Sequence, residues 1–417
     1  MREMKDSGIK WIGEIPKDWK TTKLKYTYNN SNIGEAIDKD NYGEGSIIFY
    51  TAGMSYTFMS YDGFPEWKYT QSNDILLARN GTPYVYLPQN GAAYSDHIIR
   101  IDIKKEYDKR FLRYSLQRAI GAVAVETVSI STWSVSLWKE QILPLPNYES
   151  QRKIADYLDE KCSKIDAIIE KQQEIIEKLK EYKLSVISET VTKGLNSDVE
   201  MKDSGVESIG FVPKDWKICR LRNIGVPQNG ISKGGEYFGS GDPFVSYGDV
   251  YKNYSLPNSI EGLIQSTEDE KEKYSVEEGD IFFTRTSETI DEVGFSCVCE
   301  ETIPNATFAG FLIRVRPFDK DSLYIGFAKY YFRSNYHRKY YAKEMNLVTR
   351  ASLGQDLLKS VPVLLPPSEE QRVIAKYLDK KCTQIEKIIN DKEILIQRLS
   401  EYKESLIFEA VTGKKGV

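Results

Sequence analysis

Gln151-Arg-Lys-Ile-Ala-Asp-Tyr-Leu-Asp-Glu-Lys-Cys162 returns 220 residues later as Gln371-Arg-Val-Ile-Ala-Lys-Tyr-Leu-Asp-Lys-Lys-Cys382. Each copy leads into a stretch rich in Glu, Lys and Ile. The first, from Ser150 to about Lys193, holds no Gly or Pro, which predicts one long helix. Similarity runs on through Glu181-Tyr-Lys183 and Glu401-Tyr-Lys403 to Val191-Thr192 and Val411-Thr412. Internal repetition is therefore the first fact about this chain, and it governs the fold.

Along the first helix Leu158, Ile165, Gln172, Leu179 and Val186 fall seven apart, beside a companion series of Ile154, Lys161, Ile168, Ile175 and Tyr182. The second helix copies this with Leu378, Ile385, Lys392, Leu399 and Leu406 beside Ile374, Lys381, Ile388, Leu395 and Tyr402. Two heptad seams of this kind predict helix-on-helix packing. The residues assigned to the contact are Ile154, Leu158, Ile165, Ile168 and Leu179 in one helix, and Ile374, Leu378, Ile385, Ile388 and Leu399 in the other. Polar Gln172 and Lys392 share one central seam place, and Lys161 and Lys381 share another. Such residues set register or partner choice. About 40 residues give a rod of about 60 Å. Connectivity favours an antiparallel pair, with a domain at each tip; a parallel pair would put both domains at the same tip.

A second repeat opens each half. Met4-Lys-Asp-Ser-Gly-Ile-Lys-Trp-Ile-Gly-Glu-Ile-Pro-Lys-Asp-Trp-Lys20 recurs as Met201-Lys-Asp-Ser-Gly-Val-Glu-Ser-Ile-Gly-Phe-Val-Pro-Lys-Asp-Trp-Lys217, an offset of 197. Each half thus reads as opening motif, middle region and helix, and the second middle region is 23 residues longer. The ends match closely while the middles barely match. A common scaffold carrying two specificities explains that pattern better than neutral drift, which would have blurred the frame as well.

The middles have an α+β texture. Ser46–Tyr50, Asp74–Ala78, Tyr84–Leu87 and Ile98–Ile101 read as short strands, followed by a helix over Lys109–Arg118. Phe244–Tyr247, Asp280–Thr284, Gly294–Val298 and Phe311–Val315 play the same parts in the second, before a helical Tyr324–Tyr341. Asp74-Ile-Leu-Leu-Ala-Arg79 lines up with Asp280-Ile-Phe-Phe-Thr-Arg285, after which the chains part into Asn80-Gly-Thr-Pro-Tyr84 and Thr286-Ser-Glu-Thr289. A shared Arg followed by different polar loops suits two base-reading loops, since Arg bonds guanine bidentately, Asn adenine, and Ser or Thr either. The other reading is a strand-end Arg paired with a local carboxylate. Candidate contacts are Arg79, Asn80, Thr82, Tyr84, Arg285, Thr286 and Ser287, with Thr51, Met54, Ser131, Thr132, Tyr247, Asp249, Tyr251, Arg350 and Ser352 as a second tier.

Composition sets the limits. A chain of 417 residues suggests two or three domains. Its 41% hydrophobic content speaks for a globular protein. The charged Met1–Lys10 is no signal peptide, and no run reaches the ~18 apolar residues of a spanning helix, so a soluble, cytoplasmic protein is expected. Net charge of −4 is not the footprint of a protein that coats DNA by charge alone. Basic residues clustered on small faces, or partner subunits, would have to supply the phosphate contacts. The 28 tyrosines fit a polar recognition surface and equally fit strands packed on one another. Five cysteines make no disulfide framework. Cys162 and Cys382 occupy matching helical places, and Cys297 and Cys299 form a C-x-C; with only His97 and His337 as imidazoles, no metal site is expected.

Catalytic motifs are missing. There is no phosphate-cradling P-loop, and the glycines from Gly230 to Gly241 do not link a strand to a helix as a dinucleotide fingerprint would. No Asn- or Asp-Pro-Pro-aromatic run exists to hold a flipped adenine, and two histidines leave little room for a Ser-His or Cys-His pair. Paired carboxylates for a metal nuclease stay open, because 61 acidic residues produce chance spacings.

With its duplicated Ser-Gly…Ile-Gly…Pro-Lys-Asp-Trp opening, the chain resembles the specificity subunits of type I restriction-modification systems. The resemblance covers essentially its whole length. It rests also on Leu143-Pro-Leu-Pro146…Gln151-Arg152…Tyr157-Leu158-Asp159 and its echo Leu364-Leu-Pro-Pro367…Gln371-Arg372…Tyr377-Leu378-Asp379. Ser208 departs from the pattern, standing where the first half has Trp11, so the second opening is expected to pack less firmly. The resemblance implies two α/β target-recognition domains separated by two long helices in an antiparallel coiled coil, an α+β chain with an internal pseudo-two-fold repeat. The domains would be 1–146 and 197–366, the spacer helices 147–196 and 367–417. It further implies double-stranded DNA, two methyltransferase subunits and restriction (translocase) subunits as partners. S-adenosylmethionine, ATP and Mg would sit on those partners, with no cofactor or catalysis in this chain. No base-contacting residue carries over from the family. A coiled-coil adaptor that binds only proteins, and a stand-alone DNA enzyme, are the rival readings.

Overall fold

The computed structural model describes residues 3–53, 55–60, 63–126, 132–287, 293–344 and 351–417. The chain forms two compact units, Met1–Gln172 with Glu393–Val417, and Gln173–Lys392. Both long helices contribute to both units.

The helices span Tyr148–Lys193 and Ser368–Val411. Asn147 starts the first by accepting from the Ser150 amide at 2.9 Å. Each ends on a glycine in the left-handed region, Gly194 (φ 75°) and Gly413 (φ 72°), the conformation in which a helix is closed off without a Cβ penalty. In the first unit Tyr157 lies near Lys415 and Asp166 near Lys403, so the two segments run antiparallel there. In the second unit Lys183 bonds Glu386 while Gly194 lies beside Glu370, again antiparallel.

The seam differs from the expected one by a single residue in its companion series. Leu158, Ile165, Leu378 and Ile385 are buried as expected, as are Ile154 and Ile374, and Leu179 and Leu399 are half-buried. Ile168 and Ile388, however, are 43% and 45% exposed, and Ile175, Tyr182, Leu395 and Tyr402 also face outward. The inward positions are Cys162, Ile169, Ile176 and Lys183, and Cys382, Ile389, Ile396 and Lys403. The physical reason is that heptad spacing allows a partner series three or four residues along. The doublets Ile168-Ile169, Ile175-Ile176 and Ile388-Ile389 supply apolar side chains to both, and the antiparallel geometry selects the second.

The starts of both helices are tied down identically. Gln151 donates to the Pro146 carbonyl at 2.9 Å and accepts from the Asp108 amide at 3.0 Å. Gln371 donates to the Pro366 carbonyl at 2.9 Å and accepts from the Tyr324 amide at 2.7 Å. The Tyr114 hydroxyl donates to Asp159 at 2.8 Å, as does Tyr330 to Asp379 at 2.8 Å. These bonds give the Gln and the Asp of the repeated motif the same role in both halves. The opening motifs fold as hairpins, Met4–Asp6 on Glu14–Pro16 and Met201–Asp203 on Phe211–Pro213. Behind them Trp19 and Trp216 are fully buried, packed near Gly413 and Gly194 respectively.

The middle regions, dissimilar in sequence, share one topology. Tyr28–Ile33, Ile98–Ile103, Asp74–Ala78 and Val85–Tyr86 form an antiparallel sheet in that order. Gly225–Asn229, Leu312–Pro317, Ile281–Thr284 and Ser296–Val298 do the same in the second unit. A smaller sheet follows in each: Tyr56–Met59, Tyr42–Tyr50 and Ala93–Tyr94, against Leu263–Ile264, Phe238–Val245 and Thr307–Phe308. In both, the last pair is parallel. The strands Asp74–Ala78 and Ile281–Thr284 are buried throughout, which fits their apolar Ile-Leu-Leu-Ala and Ile-Phe-Phe runs. Two expectations need correction. Tyr247 does not end a strand but begins a short helix, Tyr247–Lys252, because Ser246 and Asp249 form a capping box. The stretch Tyr324–Tyr341 is two helices, Ile325–Tyr331 and Asn335–Glu344. Between them Arg333 is buried and donates to the carbonyls of Val250, Tyr251, Asn253 and Ser296. The first expected helix is longer than the sequence suggests, Lys109–Glu126. Among the described residues no helix is long and apolar enough to cross a membrane.

Candidate nucleic-acid interface

Arg79 leaves the C-terminal end of the buried strand Asp74–Ala78, and Arg285 that of Ile281–Thr284. The backbone around each is bonded alike. The Arg79 amide donates to the His97 carbonyl at 2.8 Å, and the Arg285 amide to that of Phe311 at 2.9 Å. From the other side the Trp133 amide donates to the Arg79 carbonyl at 2.5 Å, and Leu353 to Arg285 at 2.7 Å. The next residues pair across: Asn80 bridges Thr132, Thr286 pairs with Ser352, and Ser287 with Ala351. Candidates from distant parts of the sequence therefore converge pairwise, Arg79 and Asn80 with Thr132, Arg285 and Thr286 with Ser352. Met54, Ser131 and Arg350 lie outside the described residues.

Both arginines are half-buried and neither closes a carboxylate pair among the described residues. Among the described residues the Arg79 side chain bonds the Asp96 carbonyl, at 3.4 Å. The strand arginines that do pair locally are others: Arg100 with Asp74 at 2.5 Å and Arg316 with Asp280 at 2.7 Å. Burial pushes the Asp74 carboxyl above the usual carboxylate range, partly offset by the Arg100 guanidinium. The loop after Arg79 is braced from several sides. The Trp133 indole donates to the Gly81 carbonyl at 2.7 Å, Gln117 to that of Pro83 at 3.1 Å, and Asn80 Nδ2 contacts His97 Nδ1 at 3.0 Å.

Other candidates stand apart. Thr82 and Tyr84 line a cavity of about 490 Å³ that they share with Arg113, Arg118 and Lys403, facing the helices of the first unit. The Thr51 carbonyl accepts from the Tyr86 hydroxyl at 3.2 Å, and burial pushes that hydroxyl up to about 12. Tyr247 and Tyr251 stack at 5.8 Å on the short helix, and Asp249 spends its carboxylate on the Ser246 amide and hydroxyl, at 2.8 and 2.7 Å. Asp249 thus closes a capping box whose N-cap residue is Ser246.

Basic charge does cluster locally. Arg220, Arg222, Lys339 and Lys343 line an 830 Å³ cleft of the second unit together with Glu207 and Ser208. Ser208 holds the place of Trp11, which packs against the first unit's core. Cys297 and Cys299 are fully buried among Phe282 and Phe308 in one apolar cluster. All five cysteines are free thiols, and no group of His, Cys, Asp or Glu fit to hold a metal occurs among the described residues.

The sequence profile of the type I restriction modification DNA specificity domain matches this chain twice, over residues 16–184 and 213–396. The chain belongs to the type I restriction-modification specificity family. Among its relatives is the EcoBI specificity subunit of Escherichia coli, 22% identical over 365 residues, or 84% of this chain and 75% of that one. Another is the putative MjaX specificity subunit of Methanocaldococcus jannaschii, 25% identical over 456 residues, 97% of this chain and 95% of that one. The fold is like that of a chain from a structural study of type I R-M complex assembly and conformational transition. There the TM-score is 0.72 at 17% identity, over 96% of this chain and 99% of that one. It is also like the HsdS subunit from Thermoanaerobacter tengcongensis, with a TM-score of 0.50 at 17% identity over 96% and 98% of the two chains. This type I specificity subunit is a non-catalytic component with two DNA-specificity domains. The adaptor and stand-alone-enzyme readings fall with that assignment.

Proposed function

We propose that this specificity subunit reads a split double-stranded DNA target, one half with each unit, and carries two methyltransferase subunits and the restriction subunits of its complex. Residues 1–146 and 197–366 serve as the recognition domains, and the helical segments 147–196 and 367–417 set the unread distance between half-sites. S-adenosylmethionine, ATP and Mg act on the partner subunits, in the cytoplasm, with adenine as the methylated base.

The observation that carries this is the paired surface of Arg79, Asn80 and Thr132 in one unit and Arg285, Thr286 and Ser352 in the other. The backbone frame and the arginine are the same while the residue after it changes from Asn80 to Thr286, which is what two specificities on one scaffold require. Arginine, amide and hydroxyl groups at strand ends match the donor and acceptor pattern of base edges. The cleft of Arg220, Arg222, Lys339 and Lys343 suits phosphate oxygens, which position without specifying.

Co-expression with the cognate methyltransferase subunit, followed by single-molecule mapping of methylated host DNA, tests the proposal. A split motif with methyladenine in both halves is expected. A soluble complex that adds no methylation overturns it.

A further inference from the structure

Two tight turns, absent from the sequence comparison, flank the arginines. The Ile98 amide donates to the Ser95 carbonyl at 3.0 Å, closing Ser95–Ile98; the Leu312 amide donates to Ala309 at 2.9 Å, closing Ala309–Leu312. Each turn begins by bonding the small sheet, Ser95 to the Tyr50 carbonyl at 2.9 Å and Ala309 to Val245 at 3.0 Å. Each ends by accepting from a glycine, Gly34 at 3.1 Å and Gly230 at 3.4 Å. The turns therefore share these three backbone bonds, although the Gly310 amide also donates to the Ile231 carbonyl at 2.7 Å and the His97 amide to Ser95 Oγ at 3.3 Å. The residue each presents is also the one whose carbonyl holds the arginine amide, His97 in one unit and Phe311 in the other.

Both side chains face solvent: His97 is 49% exposed and Phe311 65%. A phenylalanine so exposed adds little to the fold, and by itself an exposed apolar residue calls for no explanation. What singles out Phe311 is its place. The turn, the glycine and the neighbouring arginine are kept in both units, while the residue presented changes from an imidazole bonded to Asn80 into a bare aromatic ring.

We infer that this turn position is a third reading position beside the arginine and its loop, and that Phe311 makes an apolar contact to a thymine methyl group in the half-site of the second unit. The thymine methyl is the apolar feature that the major groove offers, and a ring is a suitable partner for it. This inference rests on the DNA-reading function proposed above and names a determinant within it.

The test uses the full chain assembled with its methyltransferase subunits, as wild type, Phe311→Ala and Phe311→Leu. Each is titrated with target duplexes in which every thymine of both half-sites is replaced in turn by deoxyuridine, which lacks only the methyl. Wild type should lose about four- to tenfold in affinity at one thymine. Phe311→Ala should lose a similar factor on the unmodified target and be indifferent to uracil at that place, and Phe311→Leu should retain most of the discrimination. Equal melting temperatures exclude a folding effect. A wild type indifferent to every uracil, or a Phe311→Ala variant as sensitive as wild type, overturns the inference and leaves the split-target function standing. A wild-type complex that recognises no split target overturns both.

Discussion

Lys403 Nζ donates to both carboxylate oxygens of Asp166, at 2.6 and 2.7 Å, across 237 residues of sequence. One repeat away its counterpart Lys183 reaches Glu386, the counterpart of Asp166, at 2.5 Å. Exchanging the halves of the chain turns one bond into the other, so the sequence repeat is also a repeat of contacts within each unit.

Each lysine sits on the inward face of its helix, so removing it does more than delete a surface charge. A double-mutant cycle on Lys403→Met and Asp166→Asn should give a coupling of about 0.5–1 kcal/mol, smaller at high salt. Lys183 adds a pH dependence. Burial pulls its ammonium down, but Tyr254 and Glu386 outweigh that, and its pKa lies above the ordinary 10.5. A raised lysine pKa means stability fully present below 10.5 and lost as pH climbs through the higher folded value. Thermal melts at alkaline pH should show Lys183→Met with a flatter loss than wild type.

Gly34 and Gly230 are closed to any side chain. A Cβ at Gly34 would run into the carbonyl oxygens of Tyr94 and Ser95, and one at Gly230 into those of Phe308 and Ala309. Either Gly→Ala change should cost about 1–3 kcal/mol. Gly121 is the contrast, lying inside the helix Lys109–Glu126 with nothing within 4 Å of its added Cβ. Gly121→Ala should stabilise by about 1 kcal/mol. Urea unfolding of the three variants distinguishes these outcomes.

Trp19 and Trp216 close the helix ends, and the Trp216 indole donates to Glu370 at 3.0 Å. Trp19→Ala and Trp216→Ala should each lose about 3–5 kcal/mol. Trp216→Phe, which keeps most of the buried ring but abandons the Glu370 bond, should lose less. Calorimetry gives the ranking; equal losses for Phe and Ala would contradict it.

Arg79 and Arg285 should act on separate half-sites. Arg79→Ala is expected to weaken recognition by about 1–3 kcal/mol and to relax one half of the methylated motif, leaving the other half as specific as before. Arg285→Ala should do the reverse. Methylation mapping of the two variants reads this out, and relaxation of the same half by both would refute the assignment.

The frame of the fold was legible because its residues are tied by side chains. Gln151, Asp159 and Trp19 recur as Gln371, Asp379 and Trp216 since each makes the same bond or fills the same hole. The four corresponding strands of the middle regions were legible too; their order in the sheets and the partner strands Tyr28–Ile33 and Gly225–Asn229 were not, because these are held by backbone bonds that leave side chains free to change. Traces did exist: Gly34 and Gly230, and Tyr42-Gly-Glu-Gly45 beside Phe238-Gly-Ser-Gly241, where Gly43, Gly45, Gly239 and Gly241 all adopt positive φ. The seam's companion series was misread at Ile168 and Ile388 because adjacent isoleucines satisfy either spacing. In the candidate interface the arginines and their loops were visible as a shared Arg with divergent neighbours. His97 and Phe311 were not, since an identity that changes between halves leaves no repeat to find.

The central claim, two readers held at a distance set by the helices, is tested most directly by lengthening those helices. One heptad inserted at equivalent places in both, within the 172–179 and 392–399 segments, preserves the seam and adds about 10 Å, or about 3 base pairs of DNA. Mapping methylation by the variant complex should reveal the same two half-sites with a longer spacer between them. Robust methylation with the original spacer would contradict the account.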